Sequence, residues 1–280
     1  MKTDGRRKSS NVEDRRGRSG GSAIALGGGG LGIVGIILFL LLGGNPTELL
    51  DNTSVSEPGQ PYVETEQDKE LADFVSVVLA DTEDIWTELF RQQGLQYENP
   101  TLVLYTGQVQ TACGFGSAAA GPFYCPGDRK LYIDLEFYDE LQSSFKAPGD
   151  FAMAYVVAHE VGHHVQTLLG ISDRIMPLRQ KMSETEFNKY LVRFELQADY
   201  FAGVWAHHAQ GLGYLEQGDL QEAITAAGAV GDDTIQKRAR GYVVPESFTH
   251  GTAKQRIYWF EHGFELGTIK GGDTFSETER

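Results

Sequence analysis

Cysteine is scarce in this 280-residue chain, which contains only two. Two cysteines cannot form a disulfide-dense mini-protein or a four-cysteine zinc site, so any metal site must use histidine and carboxylate ligands. Basic side chains are also in the minority, with 24 Lys and Arg against 39 Asp and Glu and a formal net charge of −15. This balance argues against nucleic acid as a partner.

The charge is unevenly divided along the chain. Residues 1–22 contain seven basic and three acidic side chains, a net charge of +4, which leaves 17 basic and 36 acidic groups, or −19, for the rest. Residues 23–44 carry no charge and, as a helix, would rise about 33 Å, enough to cross a hydrocarbon core of about 30 Å. We therefore expect a single transmembrane helix here, and a cleaved signal peptide is the less favoured alternative.

The basic leader predicts the orientation of this segment. Basic residues stay on the cytoplasmic side, so residues 1–22 are expected to form a basic cytoplasmic tail, either a plain topology determinant or a handle for cytoplasmic partners. The composition of residues 45–64 indicates a solvated linker. Residues 65–280 should then form one globular domain outside the cytoplasm.

The domain is expected to have an α+β fold, mainly helical with a small antiparallel or mixed sheet, preceded by the transmembrane helix. An amphipathic pattern predicts a helix over residues 66–91, and strand composition marks residues 101–106 and 130–135. After residue 145 the pattern is helical almost to the end. Strands followed by a run of helices are typical of α+β folds.

The helix predicted over residues 151–169, with Asp150 as its N-cap and Gly170 after its end, is apolar nearly all round. Such a helix is buried, so polar groups in its middle need compensation. His159, Glu160 and His163 form an H-E-x-x-H motif, in which both imidazoles point the same way and can hold one ion. Glu160 lies beside that ion, where it can act as general base on a metal-activated water.

A catalytic zinc site needs three protein ligands, and the next helix offers the third. Ser183 and Glu186 form a capping box at its start. Glu195 and Asp199 lie one turn apart within its apolar face, which favours a buried role over a solvated one. Glu195 would complete the ligand set, and Asp199 would accept the free ring N–H of a ligand histidine.

His159-Glu160-x-x-His163 followed by Glu195-x-x-x-Asp199 resembles the gluzincin pattern of zinc peptidases. The chain as a whole resembles a narrower family, the neutral zinc metallopeptidases, which are bacterial proteins with a single membrane anchor. The blocks that carry the resemblance are residues 5–17, 113–138, 159–166, 195–208 and 249–256. It implies a zincin-like fold with one Zn²⁺ per chain, a peptide or protein substrate, and a location in the bacterial cell envelope.

Similar peptidases use a downstream His or Tyr to stabilise the oxyanion of the transition state, which needs a donor besides the metal. His250 lies just before a helix predicted at residues 252–260, and Tyr242 is the rival candidate. A plain capping or packing role for His250 is equally compatible with its position. The strand at residues 130–135 is the candidate edge for binding an extended substrate.

Two side chains near these motifs have simpler interpretations. His164 points about 100° away from His163, which favours a structural partner over a metal. Cys113 and Cys125 enclose a short loop, and outside the cytoplasm they are expected to form a disulfide rather than remain free thiols.

These features together predict a membrane-anchored zinc peptidase with Glu160 as the base. The alternative is a catalytically inactive, zinc-stabilised binding or assembly protein of the envelope, since a buried metal can serve stability alone. The complete motif favours the enzyme, because a structural zinc does not need Glu160. The sequence does not specify an oligomeric state.

Overall fold

The structure, a computed structural model, describes residues 1–17 and 62–276. The strands in this part are β1 (Val12–Asp14), β2 (Thr101–Tyr105), β3 (Gln108–Thr111), β4 (Gly114–Ser117), β5 (Phe123–Cys125) and β6 (Lys130–Asp134). The helices are α1 (Glu66–Gln92), α2 (Phe137–Ser143), α3 (Asp150–Leu168), α4 (Ile171–Ile175), α5 (Glu184–Gly211), α6 (Asp219–Ala229), α7 (Asp232–Arg240) and α8 (Ala253–Leu266). The expected mainly helical α+β fold is confirmed.

A small mixed sheet has the strand order β1-β2-β6-β5. β1, β2 and β6 run parallel, whereas β5 is antiparallel to β6, and β3 and β4 form a separate hairpin. Alternate side chains of β2 face opposite sides, so Leu102 packs into the main core while Val103 packs into a smaller cluster with Tyr132. The predicted strands are therefore present as β2 and β6.

The position of β6 corrects one prediction. β6 lies between β2 and β5, so both of its edges are already hydrogen-bonded within the sheet. A substrate strand cannot add to it, and the edges of the described sheet are β1 and β5. The predicted disulfide is confirmed, because Cys113 and Cys125 are bonded and tie the start of β4 to the end of β5.

The main core is built around α3, whose apolar side chains are buried on every face. α5 crosses it on one side, and α1, α6 and α8 complete the packing. Two glycines bring α5 and α8 into backbone contact: a Cβ on Gly203 would lie 2.0 Å from the Phe260 carbonyl oxygen, and one on Gly263 would lie 2.0 Å from the Tyr200 carbonyl oxygen. This close approach places the start of α8 beside the polar centre of α3 and α5.

Most of the predicted helix ends agree with the structure. The capping box of Ser183 and Glu186 is present, and Gly170 has the left-handed conformation expected just after a helix. Asp150 differs from the prediction, because the N-cap of α3 is Gly149 and Asp150 is the first helical residue. The Asp150 carboxylate instead lies 3.0 Å from the Met1 amino nitrogen.

The prediction of a fold preceded by a transmembrane helix is wrong for the structure as described. Across residues 1–17 and 62–276, no helix is long and apolar enough to cross a membrane. The predicted span, residues 23–44, lies outside the described residues. Residues 1–17, which belong to the predicted basic tail, pack on the domain and supply its edge strand β1.

Candidate metal centre

α3 and α5 carry the polar residues of the centre and cross at Gly162. A Cβ on Gly162 would lie 2.9 Å from the Ala198 carbonyl oxygen, so only glycine allows the two helices to approach this closely. His159 and His163 are one turn apart on the α3 face that meets α5, and Glu195 lies opposite them. The glycine within the HEVGHH sequence is therefore a packing residue of the site.

Three side chains bring ligand atoms together at this crossing. The Nε2 atoms of His159 and His163 lie 3.2 Å and 3.5 Å from the same oxygen, Oε2 of Glu195. One ligand atom from each residue lies within 4.8 Å of the others, a spacing that can hold a metal ion. His159 and Glu195 are buried, while His163 is partly exposed. Two imidazoles and one carboxylate are a donor set that zinc prefers, so the residues fit the ion that the sequence predicts.

The other ring nitrogen of each histidine has a partner. Nδ1 of His159 lies 2.8 Å from Oδ1 of Asp199, as expected for the outer carboxylate, and Nδ1 of His163 lies 2.8 Å from Oε1 of Gln166. An acceptor at Nδ1 keeps the proton there and leaves Nε2 free for a metal. Gln166 is itself held, because its amide donates to the Phe194 carbonyl oxygen at 2.6 Å.

A buried arginine holds Asp199. Nε of Arg256 donates to Oδ2 of Asp199 at 2.8 Å, and Nη2 donates to Oδ1 at 3.0 Å. The Tyr155 hydroxyl donates to Oδ1 at 2.5 Å, and the Arg256 guanidinium also donates to the Val230 carbonyl oxygen at 3.2 Å. Asp199 is fully buried, and the two-point contact fixes the plane of its carboxylate.

The electrostatics of the centre favour bound positive charge. Burial alone would lower the pKa of His159, but the charge of Asp199 and its hydrogen bond outweigh burial and raise the pKa to about 9. Burial would raise the pKa of Glu195, but the positive charges of His163 and His250 lower it well below its usual range. The acidic groups thus stay ionised and draw cationic partners, as a metal site requires.

Glu160 lies one residue along from His159 and is also buried, at 8 % exposure. Burial raises the pKa of its carboxyl group, although the positive charges of His163 and His159 partly oppose the shift. A carboxylate with a raised pKa is a better proton acceptor than a solvated one. Its chemistry therefore suits the role of base that the motif predicts.

His250 is held next to this centre by Asp232, the first residue of α7. The backbone N–H groups of Thr249, His250 and Gly251 all donate to Oδ2 of Asp232, at 2.8, 2.7 and 3.0 Å. Nδ1 of His250 lies 3.3 Å from the other carboxylate oxygen. Burial would lower the pKa of His250, but the charges of Glu195 and Asp232 outweigh it and raise the pKa.

Two observations bear on the alternatives for the oxyanion donor. The N-cap of α8 is Thr252, so His250 does not cap that helix. Tyr242, the rival oxyanion donor, is 61 % exposed.

His164 has the structural partners that its direction predicts. Nδ1 lies 3.0 Å from the Tyr124 hydroxyl, and Nε2 lies 2.6 Å from the Glu98 carbonyl oxygen. Burial lowers the pKa of His164 to about 4, so the ring is neutral at neutral pH. This histidine therefore links α3 to β5 and to the segment before β2.

Sequence reasoning did not assign three residues of the centre: Gln166, Asp232 and Arg256. Two of them, Gln166 and Arg256, have a weak signal in the sequence. Gln166 lies three residues after His163 on a helix that is otherwise apolar, and Arg256 lies close to buried Trp259 and Phe260 in α8. A polar residue within a buried helical face predicts a partner, but the sequence does not say which one.

Comparison with known proteins adds evidence at the level of the family. The family model described as Putative neutral zinc metallopeptidase matches residues 1–275. The Escherichia coli (strain K12) protein "Uncharacterized protein YpfJ" is 47 % identical over 288 residues, which cover 99 % of this chain and 100 % of that protein. No solved structure matches the chain.

A shorter match involves Mycobacterium tuberculosis (strain ATCC 25618 / H37Rv). Its "Uncharacterized protein Rv2575" is 45 % identical over 194 residues, which cover 65 % of this chain and 64 % of that protein. The names of these relatives give no activity, so the evidence for the chemistry of this chain lies in its own residues.

Proposed function

Because the chain belongs to this zinc metallopeptidase family, we propose that it hydrolyses peptide bonds, with His159, His163 and Glu195 as the ligands of one zinc ion. A zinc ion held there would act as a Lewis acid toward the scissile carbonyl and increase the acidity of the attacking water. The observation that carries the proposal is the convergence of three ligand atoms, with the buried carboxylate of Glu160 close enough to interact electrostatically with all three ligand side chains.

Glu160 is the proposed base and acid. Its carboxylate takes a proton from the water that attacks the carbonyl carbon and later delivers that proton to the leaving nitrogen. The raised pKa that burial gives this carboxyl group supports the first transfer, because a carboxylate with a raised pKa accepts a proton more readily than a solvated one.

His250 is the proposed donor to the oxyanion. Asp232 orients the backbone around it and helps to raise its pKa, so the ring can carry the proton that a developing negative charge needs. Replacing His250 by Ala should reduce kcat by about 10²–10³ while zinc binding stays unchanged. Unchanged kcat would show that His250 does not contact the reacting atoms.

The number of ligands separates this function from the inactive, zinc-stabilised alternative. A structural site tends to close its fourth position with another protein ligand, whereas a catalytic site keeps it for water and substrate. The group that the described residues form here has three members, His159, His163 and Glu195. This count supports an open catalytic position.

The deciding experiment compares wild type with Glu160→Gln on the full chain. Zinc content is measured by metal analysis, and cleavage is measured with a peptide library and with an unfolded protein. We expect the variant to keep about one zinc per chain and to lose at least about 10²-fold in cleavage rate.

Glu184→Gln is the matched control, because Glu184 is an exposed carboxylate in the first turn of α5 and should change neither quantity. Cleavage that persists in Glu160→Gln would exclude Glu160 as the base. Zinc at one equivalent in a wild type that cuts neither substrate would favour the inactive alternative.

A further inference from the structure

The N-terminal segment, residues 1–17, makes backbone contacts with the domain along much of its length. The Ser9 N–H donates to the Ser76 carbonyl oxygen at 3.0 Å, and β1 then adds to β2 as a parallel edge strand with Val12 opposite Leu102. The Arg15 N–H donates to the carbonyl oxygen of Leu104 at 2.8 Å, extending the ladder. The segment is thus part of the sheet and of the surface of α1.

The face of α1 beneath this segment is acidic. We call Asp81, Glu83 and Asp84 the α1 acidic face. Arg6 forms an ion pair with Asp81, and Arg7 bridges Glu83 at 2.9 Å and Asp84 at 2.8 Å. The two carboxylates nearest the core are almost fully buried, at 6 % exposure for Asp81 and 3 % for Glu83. Carboxylates so buried need partners, and here the N-terminal segment supplies the cations.

Glu83 shows how specific the contact is. Its Oε1 atom accepts hydrogen bonds from the Ser9 hydroxyl at 2.5 Å and from the Asn11 side-chain amide at 2.7 Å, while Arg7 occupies Oε2. One buried carboxylate therefore binds three side chains of the segment. Charge attraction alone would not require three side chains to converge on one carboxylate. Such convergence is typical of a specific docking surface.

The last described residue of the segment touches the first residue after the undescribed part of the chain. Arg16 donates to the Tyr62 hydroxyl at 2.9 Å and forms an ion pair with Glu64 at 2.7 Å. Gly17 packs so closely that a Cβ there would lie 2.7 Å from Cβ of Tyr62. Gly17 and Tyr62, the described residues on either side of the undescribed part, therefore lie together on the domain.

We propose that the α1 acidic face is the docking surface for residues 1–17 of this same chain, and that this segment and the metal centre share one side of any membrane. A chain that crossed a bilayer once between residues 17 and 62 would place about 30 Å of hydrocarbon between groups that touch here. Arg6 and Arg7 are then internal partners of α1, paired with Asp81, Glu83 and Asp84.

The first test uses the full chain in intact cells and a membrane-impermeant maleimide. Lys8→Cys and Tyr242→Cys place single thiols at exposed positions, 53 % and 61 % accessible, one on the segment and one on the domain. The native Cys113 and Cys125 are joined, so the unsubstituted protein gives the background. Labelling after lysis and denaturation gives the maximum for each variant.

Equal accessibility of the two positions, both labelled or both protected, is the expected result. Labelling of one position and protection of the other would overturn the proposal, because the segment and the domain would then lie in different compartments.

The second test asks whether the docking survives a cut in the chain. A protease site is inserted directly after Gly17 in the full-length protein, and the cleaved product is passed through a size-exclusion column. The N-terminal peptide should elute with the remainder of the chain, and the Arg6→Asp/Arg7→Asp variant should release it, because both substitutions place like charges against Asp81 and Glu83. Free elution of the wild-type peptide would overturn the docking surface.

Discussion

The metal centre and the α1 acidic face both bury carboxylates on long helices, but they satisfy them differently. In the acidic face, Asp81 and Glu83 are paired with fixed arginines of the same chain. In the metal centre, Arg256 satisfies Asp199, whereas Glu195 faces the Nε2 atoms of His159 and His163. In the first arrangement the chain itself supplies the neutralising cations, whereas in the second the ligand atoms converge on a point between the three side chains.

This difference separates a folding contact from a binding site. A buried carboxylate that meets an arginine is neutralised by the chain itself, so its loss should change stability and leave ligand binding intact. A buried carboxylate that faces two imidazoles, each able to lose its proton, can instead bind an external cation together with them. Arg256 stands between the two cases, because it neutralises Asp199 while Asp199 holds a proposed ligand.

The largest expected effect comes from Arg256→Ala. The change leaves Asp199 buried without its cation, which should lower the free energy of unfolding of the zinc-free protein by about 3–5 kcal/mol. It also frees the plane of the Asp199 carboxylate, so the affinity for zinc should fall by about 10- to 100-fold. Urea unfolding measures the first quantity, and competition with a chromogenic chelator measures the second.

Arg256→Lys is the informative control for this prediction. Lysine keeps the charge but cannot make the two-point contact with Asp199, so stability should be partly restored while zinc affinity stays low. Wild-type zinc affinity in a folded Arg256→Ala protein would show that the arginine serves packing alone and does not position His159 through Asp199.

Arg6→Ala also removes the arginine that pairs with a buried carboxylate, here Asp81 of the α1 acidic face. It should cost about 2 kcal/mol of unfolding free energy at pH 7, because buried Asp81 loses its arginine and must take up a proton, and it should leave zinc affinity unchanged. Lys8→Ala is the matched control: Lys8 and Asp73 form an exposed pair, 53 % and 48 % accessible, which is worth less than about 1 kcal/mol.

The pH dependence of Arg6→Ala gives a further check. Burial raises the pKa of Asp81 to about 6 even with Arg6 present, so ionised Asp81 costs stability as the pH rises from about 4 to 6. Without Arg6 this pKa should rise further, and the difference between wild type and variant should shrink as the pH is lowered toward 5. A difference that is constant with pH would contradict the role of the ion pair.

The sequence predicts much of the metal centre because its rules are local. The positions of His159 and His163 on one face, and of Glu195 and Asp199 one turn apart, follow from helical periodicity. The capping box at Ser183 depends on two residues three positions apart, so it too can be recognised from the sequence. The crossing at Gly162, the role of Gln166 and the contact of Arg256 with Asp199 depend on how separate helices pack, which no local pattern encodes.

The N-terminal segment shows the opposite case. Its basic residues and the apolar stretch at residues 23–44 together predict a tail separated from the domain, because topology rules treat lysine and arginine as free charges. In the structure Arg6 and Arg7 have carboxylate partners more than 70 positions away along the chain. A rule that counts charge without its partners therefore cannot distinguish a solvated tail from a docked strand.

The smallest effect we predict concerns His164, which lies beside His163 in sequence but outside the metal centre. Its pKa is lowered to about 4, against about 6.5 when unfolded, so the folded protein holds it neutral. The stability that depends on this neutral ring is fully present well above pH 6.5 and is lost as the pH falls toward 4, by about 1.6 kcal/mol between pH 6.5 and 5. His164→Gln removes the titration, so its unfolding free energy should fall less than that of wild type over this range. All other groups titrate in both proteins. The difference between the two slopes of unfolding free energy against pH therefore reports the titration of His164 alone. Equal slopes would mean that this ring titrates at its ordinary pKa and that its bonds to Tyr124 and Glu98 are not maintained in solution.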